Sequence, residues 1–285
     1  MKKSKTPVYG ILGFLLIIFS QLLLIIKGYG FSRYSFPLIW FGYILFVDGL
    51  AYRFRGNSLI KNNFKNFAGL FIISMFFWWA FMFIDTFIQN WNYITLYDFP
   101  KKEYFILSSI TFSMVLPSIL ETADLLGSLT SFNFKTKKWE PTKRMLYLLI
   151  VLGAVLLIIP IVKPSLVFPL AWVSLFLIFD PINYLKKQPS ILKNISRSDW
   201  AIPCSLLIAG IICGFFWEFW NYWSYPKWAK CVPFLDFFRT FDVSFFGYIL
   251  YFFFSWELFS MYHFVKFVWK KYSPPAVNFI KKLIS

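Results

Sequence analysis

Eight long apolar stretches separated by short polar ones organise the chain: residues 7–27, 36–54, 67–90, 104–130, 145–163, 166–186, 200–223 and 243–268. A helix needs about 20 mostly apolar residues to cross a bilayer, so the pattern predicts an all-α polytopic membrane protein with eight transmembrane helices. The polar segments divide by charge. Segments 1–6, 53–66, 131–144, 186–199 and 266–285 hold 21 Lys and Arg, whereas the alternate segments near 27–35, 92–103, 163–165 and 224–242 hold 8. Positive loops stay in the cytoplasm, which puts both termini there and requires an even number of spans. The opening MKKSK before an apolar run has the look of a signal peptide, but no small-x-small cleavage site follows, so the first span is expected to be retained.

The chain also repeats itself. An ungapped alignment of 36–62 with 168–194 gives 10 identities in 27 positions, including Phe36/Phe168, Pro37/Pro169, Trp40/Trp172, Asp48/Asp180, Tyr52/Tyr184 and Lys61/Lys193. Apolar spans seldom match Trp, Asp and Pro together by chance, so the match reads as a duplication. After a short insertion the register continues, with Phe76-Phe77-Trp78 opposite Phe215-Phe216-Trp217, Asp98 opposite Asp236 and Glu121 opposite Glu257. The expected organisation is a membrane repeat over 1–130, a basic cytoplasmic linker over 131–144 and a second repeat over 145–285. Four spans per half is an even number, so the repeats are parallel, with a substrate site expected between them.

Composition agrees. Apolar residues make up 59% of the 285 and charged ones only 15%, against about 25% in soluble domains. Aromatics reach 24%, which suits lipid-facing and interfacial side chains. The net charge of +16 is interleaved with apolar runs, favouring topology and contact with membrane lipids, anionic ones included, over nucleic acid. The cysteines Cys204, Cys213 and Cys231 form no C-x-x-C or Cys/His cluster, so neither a disulfide framework nor a zinc site is indicated.

Seven of the 13 acids fall inside predicted spans: Asp48, Asp85, Glu121, Asp124, Asp180, Glu218 and Glu257. A charge at the bilayer centre costs at least about 2.5–3.5 kcal/mol on insertion scales, so accident is a poor explanation. No Lys or Arg is placed deep enough in the sequence to pair with them. The carboxyls are then protonated, or share protons and hydrogen bonds, or hold a cation. Gly210, Gly214, Glu218 and Asn221 share one helical face, and small residues at this spacing admit a neighbouring helix, which would press Glu218 and Asn221 into an interhelical contact. The plain alternative is polar glue between helices. Trp217, Trp220, Trp223 and Trp228 read as an interfacial belt in preference to a cation cage.

Further constellations flank this one. Asp180-Pro181-Ile182-Asn183-Tyr184 puts an acid, a helix-distorting proline and two hydrogen-bonding side chains within about a turn. Glu121 and Asp124 share a face with Pro117 one turn earlier, so the helix backbone is expected to open nearby. Glu257 has Ser260 three residues on, and the lone His263 reads as a hydrogen-bond partner. No nucleophile-elbow, P-loop or H-E-x-x-H pattern occurs, and no cofactor or metal is indicated. Loops 91–103 and 224–242 are amphipathic and aromatic, with Tyr225–Phe241 readable either as a surface lid or as an ordinary interfacial loop.

From FPLAW through DPINY and FFWEFWN to SWELFSMYHF, about 110 residues resemble a family of multi-pass prokaryotic membrane proteins that carry D-P-x-N-Y, W-E-x-W-N and a later glutamate. That resemblance implies a prokaryotic inner membrane and no particular reaction. A looser likeness, to the duplicated membrane carotenoid cyclases, lacks their Pro-x-Glu-Glu/Asp signature. The leading expectation is an enzyme with an intramembrane acidic and aromatic pocket, using a buried carboxyl as general acid on a lipid-soluble substrate such as an isoprenoid. Glu218 is the candidate acid, Asn221 its orienter and Asp180 or Glu257 a partner, with Trp217, Trp220, Asn183 and Tyr184 lining the substrate. Asp48, Asp85, Glu121 and Asp124 are secondary acidic positions. The alternatives are a proton- or cation-coupled transporter and a non-catalytic assembly factor.

Overall fold

A computed structural model describes residues 4–26, 32–88, 91–94, 99–130, 132, 134–162, 170–230, 239–241 and 243–269. Eleven helices run along these residues: α1 Val8–Ile26, α2 Ser32–Arg55, α3 Leu59–Asn62, α4 Phe64–Ile88, α5 Lys101–Phe112, α6 Val115–Leu129, α7 Lys143–Val162, α8 Ala171–Leu185, α9 Ile191–Ser196, α10 Ala201–Trp223 and α11 Phe245–Trp269. The chain is all-helical but for short strands β1 Trp91–Ile94, β2 Lys227–Lys230, β3 Arg239–Thr240 and β4 Val243–Ser244. Among the described residues six segments are long and apolar enough to cross a membrane: Val8–Ile26, Arg33–Arg55, Phe64–Phe87, Lys101–Leu129, Lys143–Pro160 and Ala201–Trp223. Among the described residues, α8 is apolar but shorter than a span. The aligned Phe168, Pro169, Asp98 and Asp236, the third cysteine Cys231, and the basic tail after 269 lie outside the described residues.

The segment read as one span over 104–130 consists of two helices, α5 and α6, separated at Ser113–Met114. Pro117 explains the break: it falls in the first turn of α6, where a missing N–H is tolerated, and not in a helix interior, where it would cost a bond.

The helices pack in a definite pattern. α1 lies along α2, and α7 along α8. α2 and α4 both pack on α6, while α8 and α10 both pack on α11, and α10 also packs on α6. Glycines set the closest crossings. A Cβ built on Gly13 would stand 2.6 Å from the Gly42 carbonyl, and one on Gly153 2.7 Å from the Ser174 carbonyl. Such approaches are how apolar helices attract one another without a hydrophobic driving force. The outer faces of α1 and α7 leave Ile11, Leu15, Leu148 and Val151 exposed, as lipid-facing helices do.

At one end of the bundle two short helices are hung from buried aspartates. Asp48 accepts the Ile60 N–H at 3.0 Å, and Asp180 accepts the Leu192 N–H at 2.9 Å. Ser58 and Ser190 cap α3 and α9 by accepting from Lys61 N and Lys193 N. At the opposite end β1 and β2, drawn from loops 91–103 and 224–242, pair antiparallel with Asn92 opposite Ala229.

Candidate functional site

All seven acids of the apolar segments are buried, none more than 8% exposed. Their surroundings differ sharply.

Glu218 is set by two glycines. On α10 a Cβ at Gly210 would stand 2.2 Å from the Tyr251 carbonyl, and one at Gly214 2.5 Å from the Tyr251 ring. The absence of both side chains lets α11 approach and lays Tyr251 in the groove, where its hydroxyl donates to Oε1 of Glu218, one turn beyond Gly214. The glycine face thus aims Glu218 at a neighbouring helix, and its partner there is a phenol. Around the pair Trp217 lies 5.8 Å from the Tyr251 ring, and Trp40 of α2 lies 5.2 Å from Trp217 and 5.0 Å from Trp220. Phe254 closes on Trp217 at 6.0 Å. Trp217 and Trp220 are therefore buried in the core, at 6% and 3% exposure, and do not belong to an interfacial belt; Trp223, at 49%, is exposed.

Asn221 does not orient Glu218. Its Nδ2 donates to the Trp228 carbonyl at 2.8 Å and its Oδ1 accepts the Trp228 N–H at 2.9 Å, a two-point clasp on the β2 backbone. The clasp seats the Trp228 ring edge-on to Phe36 at 5.2 Å.

Asp180 lies at another level of the bundle. It accepts from Ser190 Oγ at 3.0 Å, the Ile191 and Leu192 amides at 2.7 and 2.9 Å, and Ser260 Oγ at 3.0 Å. Asn183 donates to the Ser260 carbonyl at 2.8 Å, and Tyr184 is half-buried at the end of α8. Tyr251 and Ser260 are nine residues apart on α11, about 13 Å of helix, so Glu218 and Asp180 do not meet. Glu257 falls between them, fully buried, and neither carboxyl oxygen has a hydrogen-bond donor among the described residues.

The first-half acids form a separate cluster. Tyr9 donates to Asp48 at 2.6 Å and lies 3.2 Å from Ser58 Oγ. Arg55 grips Asp124 through both terminal nitrogens, Nη1 to Oδ1 at 2.8 Å and Nη2 to Oδ2. This corrects the expectation that no cation reaches the acids: Arg55, at the end of α2, folds back along α6. Glu121 is fully buried on α6, one turn before Asp124, and no donor reaches its oxygens among the described residues. Asp85 is buried near the far end of α4, and His263 is buried against Phe259 at 4.4 Å.

Tyr251, Arg55 and Tyr9 had no signal in sequence spacing, since each reaches its acid from 33 to 69 residues away. Ser58 and Ser190 did have one, as aligned cap residues before LIKN and ILKN. Among the described residues no group of three His, Cys, Asp or Glu side chains is placed to hold a metal ion. No protein-family model, curated protein or solved structure matches the chain.

Proposed function

We propose an integral membrane enzyme in which Glu218, oriented by Tyr251, acts as general acid on a lipid-soluble substrate of the isoprenoid kind. The hydrogen bond from Tyr251 to Glu218 inside a shell of Trp40, Trp217, Trp220 and Phe254 carries this reading. In the proposed step a protonated Glu218 gives its proton to an alkene carbon. The resulting carboxylate keeps the Tyr251 donor, and the carbocation is met by ring faces. Loss of a proton from the cation back to Glu218 completes an isomerisation or cyclisation with no net proton change. Asn221 and Asp180 act at a distance, by holding the backbone on either side of the site.

The frame proposed for this chemistry is an eight-span protein of two parallel four-helix repeats, α8 and α11 joining the six apolar segments, with both termini cytoplasmic. Three features support it: the corresponding packing of α1 on α2 and of α7 on α8, the shared use of α6 and α11 as centres, and the matching aspartate clasps. The expected setting is a prokaryotic inner membrane, with anionic lipids at the basic end.

A proton-coupled carrier is the second reading, favoured by Glu121 and Glu257, two buried carboxyls without donors among the described residues. Photolabelling separates the two. In nanodiscs, a diazirine-bearing polyprenyl alcohol should label α10 or α11 near Glu218 and Tyr251, and excess unlabelled alcohol should protect. Glu218→Gln should keep the labelling and abolish acid-catalysed conversion. Absence of competable labelling would remove the enzyme reading.

A further inference from the structure

Residues 134–142, on the way from α6 to α7, carry neither helix nor strand, yet their backbone is fixed to the turn between α9 and α10. Thr136 donates its N–H to Ser198 Oγ at 2.8 Å and accepts the Trp200 Nε1–H on its hydroxyl at 3.1 Å. Ser198 in turn donates to the Phe134 carbonyl at 3.2 Å, and the Trp139 N–H reaches the Ser196 carbonyl at 3.0 Å. With Thr136 engaged on the protein side, this strap leaves Lys135, Lys137 and Lys138 exposed, and no ion pair engages them among the described residues. Aromatic rings bracket the lysines. Phe134 is 57% and Trp139 37% exposed, and Phe134 stacks on Phe132 at 6.4 Å. The surrounding charge is one-sided: segments 131–144 and 186–199 hold 9 Lys and Arg against the two acids Glu140 and Asp199. Asp199 is engaged at the start of α10, where it accepts the Ala201 N–H at 3.2 Å. Arg197, between the two serines that hold the strap, is exposed and adds to its charge.

We propose that the strap 134–139 docks on the headgroups of anionic phospholipids, its lysines meeting the phosphates and its two rings entering the boundary between headgroups and acyl chains. Lysines alone would suit any polyanion. Large rings standing out among them suit a surface that is charged on one side and apolar on the other, which is the membrane interface. The four hydrogen bonds hold the charges in position before a lipid arrives, so binding orders less chain than a loose basic loop would. The proposal rests on the membrane frame given above and not on the chemistry at Glu218, so loss of the enzyme reading leaves it standing.

Native mass spectrometry of the full-length protein in neutral detergent tests this, with phosphatidylglycerol and phosphatidylcholine of the same acyl chains titrated separately. The wild type should retain phosphatidylglycerol more tightly, and added salt should narrow the difference. Each basic residue near an anionic surface strengthens binding about fivefold, so Lys135→Gln/Lys137→Gln/Lys138→Gln should weaken phosphatidylglycerol binding by up to about 100-fold and leave phosphatidylcholine unchanged. The three side chains are exposed, and an unaltered melting temperature in the same detergent checks that the variant is folded. Lys101→Gln/Lys102→Gln, an equally exposed pair at the start of α5, should leave the preference intact. Thr136→Ala/Ser198→Ala keeps every charge but frees the strap, and should weaken phosphatidylglycerol binding severalfold. An undiminished preference in the triple lysine variant would overturn the proposal, and so would equal losses in the Lys101/Lys102 control. Wild-type affinity in Thr136→Ala/Ser198→Ala would overturn the fixed strap as the docking element. Displacement of phosphatidylglycerol by equimolar glycerol phosphate would make the ligand a free phosphate and also defeat lipid docking.

Discussion

Replacing Gly210 with alanine tests the seat of the candidate acid directly. The added Cβ would stand 2.2 Å from the Tyr251 carbonyl oxygen and 3.1 Å from Ser255 Cβ, whereas ordinary contact begins at 3.4 Å. α10 and α11 must therefore part by about 1 Å at that level, because a helical carbonyl cannot swing aside as a side chain can. Overpacking of this kind costs about 1–3 kcal/mol, and a backbone clash belongs at the upper end. Alanine returns up to about 1 kcal/mol through its better helix propensity, leaving a net loss of roughly 2 kcal/mol. At about 2–4 °C per kcal/mol this lowers the melting temperature by roughly 4–8 °C. Thermal unfolding in detergent provides the assay, with Gly69→Ala as control, since nothing lies within 4 Å of a Cβ there. The control should melt at or above the wild-type temperature. Equal melting of Gly210→Ala and wild type would refute the close approach, and with it the placement of Tyr251 on Glu218.

Three other outcomes follow from the same geometry. Arg55→Ala strands Asp124 as a buried charge and should destabilise by about 3–5 kcal/mol, while the double variant Arg55→Ala/Asp124→Ala should recover most of the loss in the same melting assay. Cysteines placed at 92 and 229, Cα partners across β1 and β2, should cross-link under oxidation, whereas adding Asn221→Ala should lower the yield by releasing the Trp228 backbone. Impermeant thiol reagents should label a cysteine at 285 and one in loop 91–103 from opposite sides of the membrane, and labelling from one side alone would defeat the proposed topology.

What could be read from the chain beforehand was periodic and local. The apolar segments are visible as runs, and the small-residue face of Gly210, Gly214 and Glu218 announces a helix contact because four-residue spacing is a property of the helix itself. Partnerships were not legible. A shared helical face pairs Asn221 with Glu218, but its amide matches a backbone N–H and C=O seven residues on, and only the loop's path reveals that. Arg55 looked peripheral because it ends α2, yet its long side chain reaches Asp124 from that position with 19% of it still exposed. Asp180 reads as catalytic because it is an acid within an apolar run, while four donors from two parts of the chain, Ser190–Leu192 and Ser260, hold it as an anchor. A buried acid in the sequence marks a costly position, and what repays the cost is set by contacts between distant segments.

Density for the protein purified in native nanodiscs, with mass spectrometry of what travels with it, tests most directly whether Glu218 faces a lipid-soluble substrate. A long-chain unsaturated lipid is expected to end beside Glu218 and Tyr251, enclosed by Trp40, Trp217 and Trp220, and to be lost when Trp217→Ala removes part of that wall or Tyr251→Phe removes the hydroxyl. A continuous file of water passing Glu218, with no chain-like density against these rings, would contradict it.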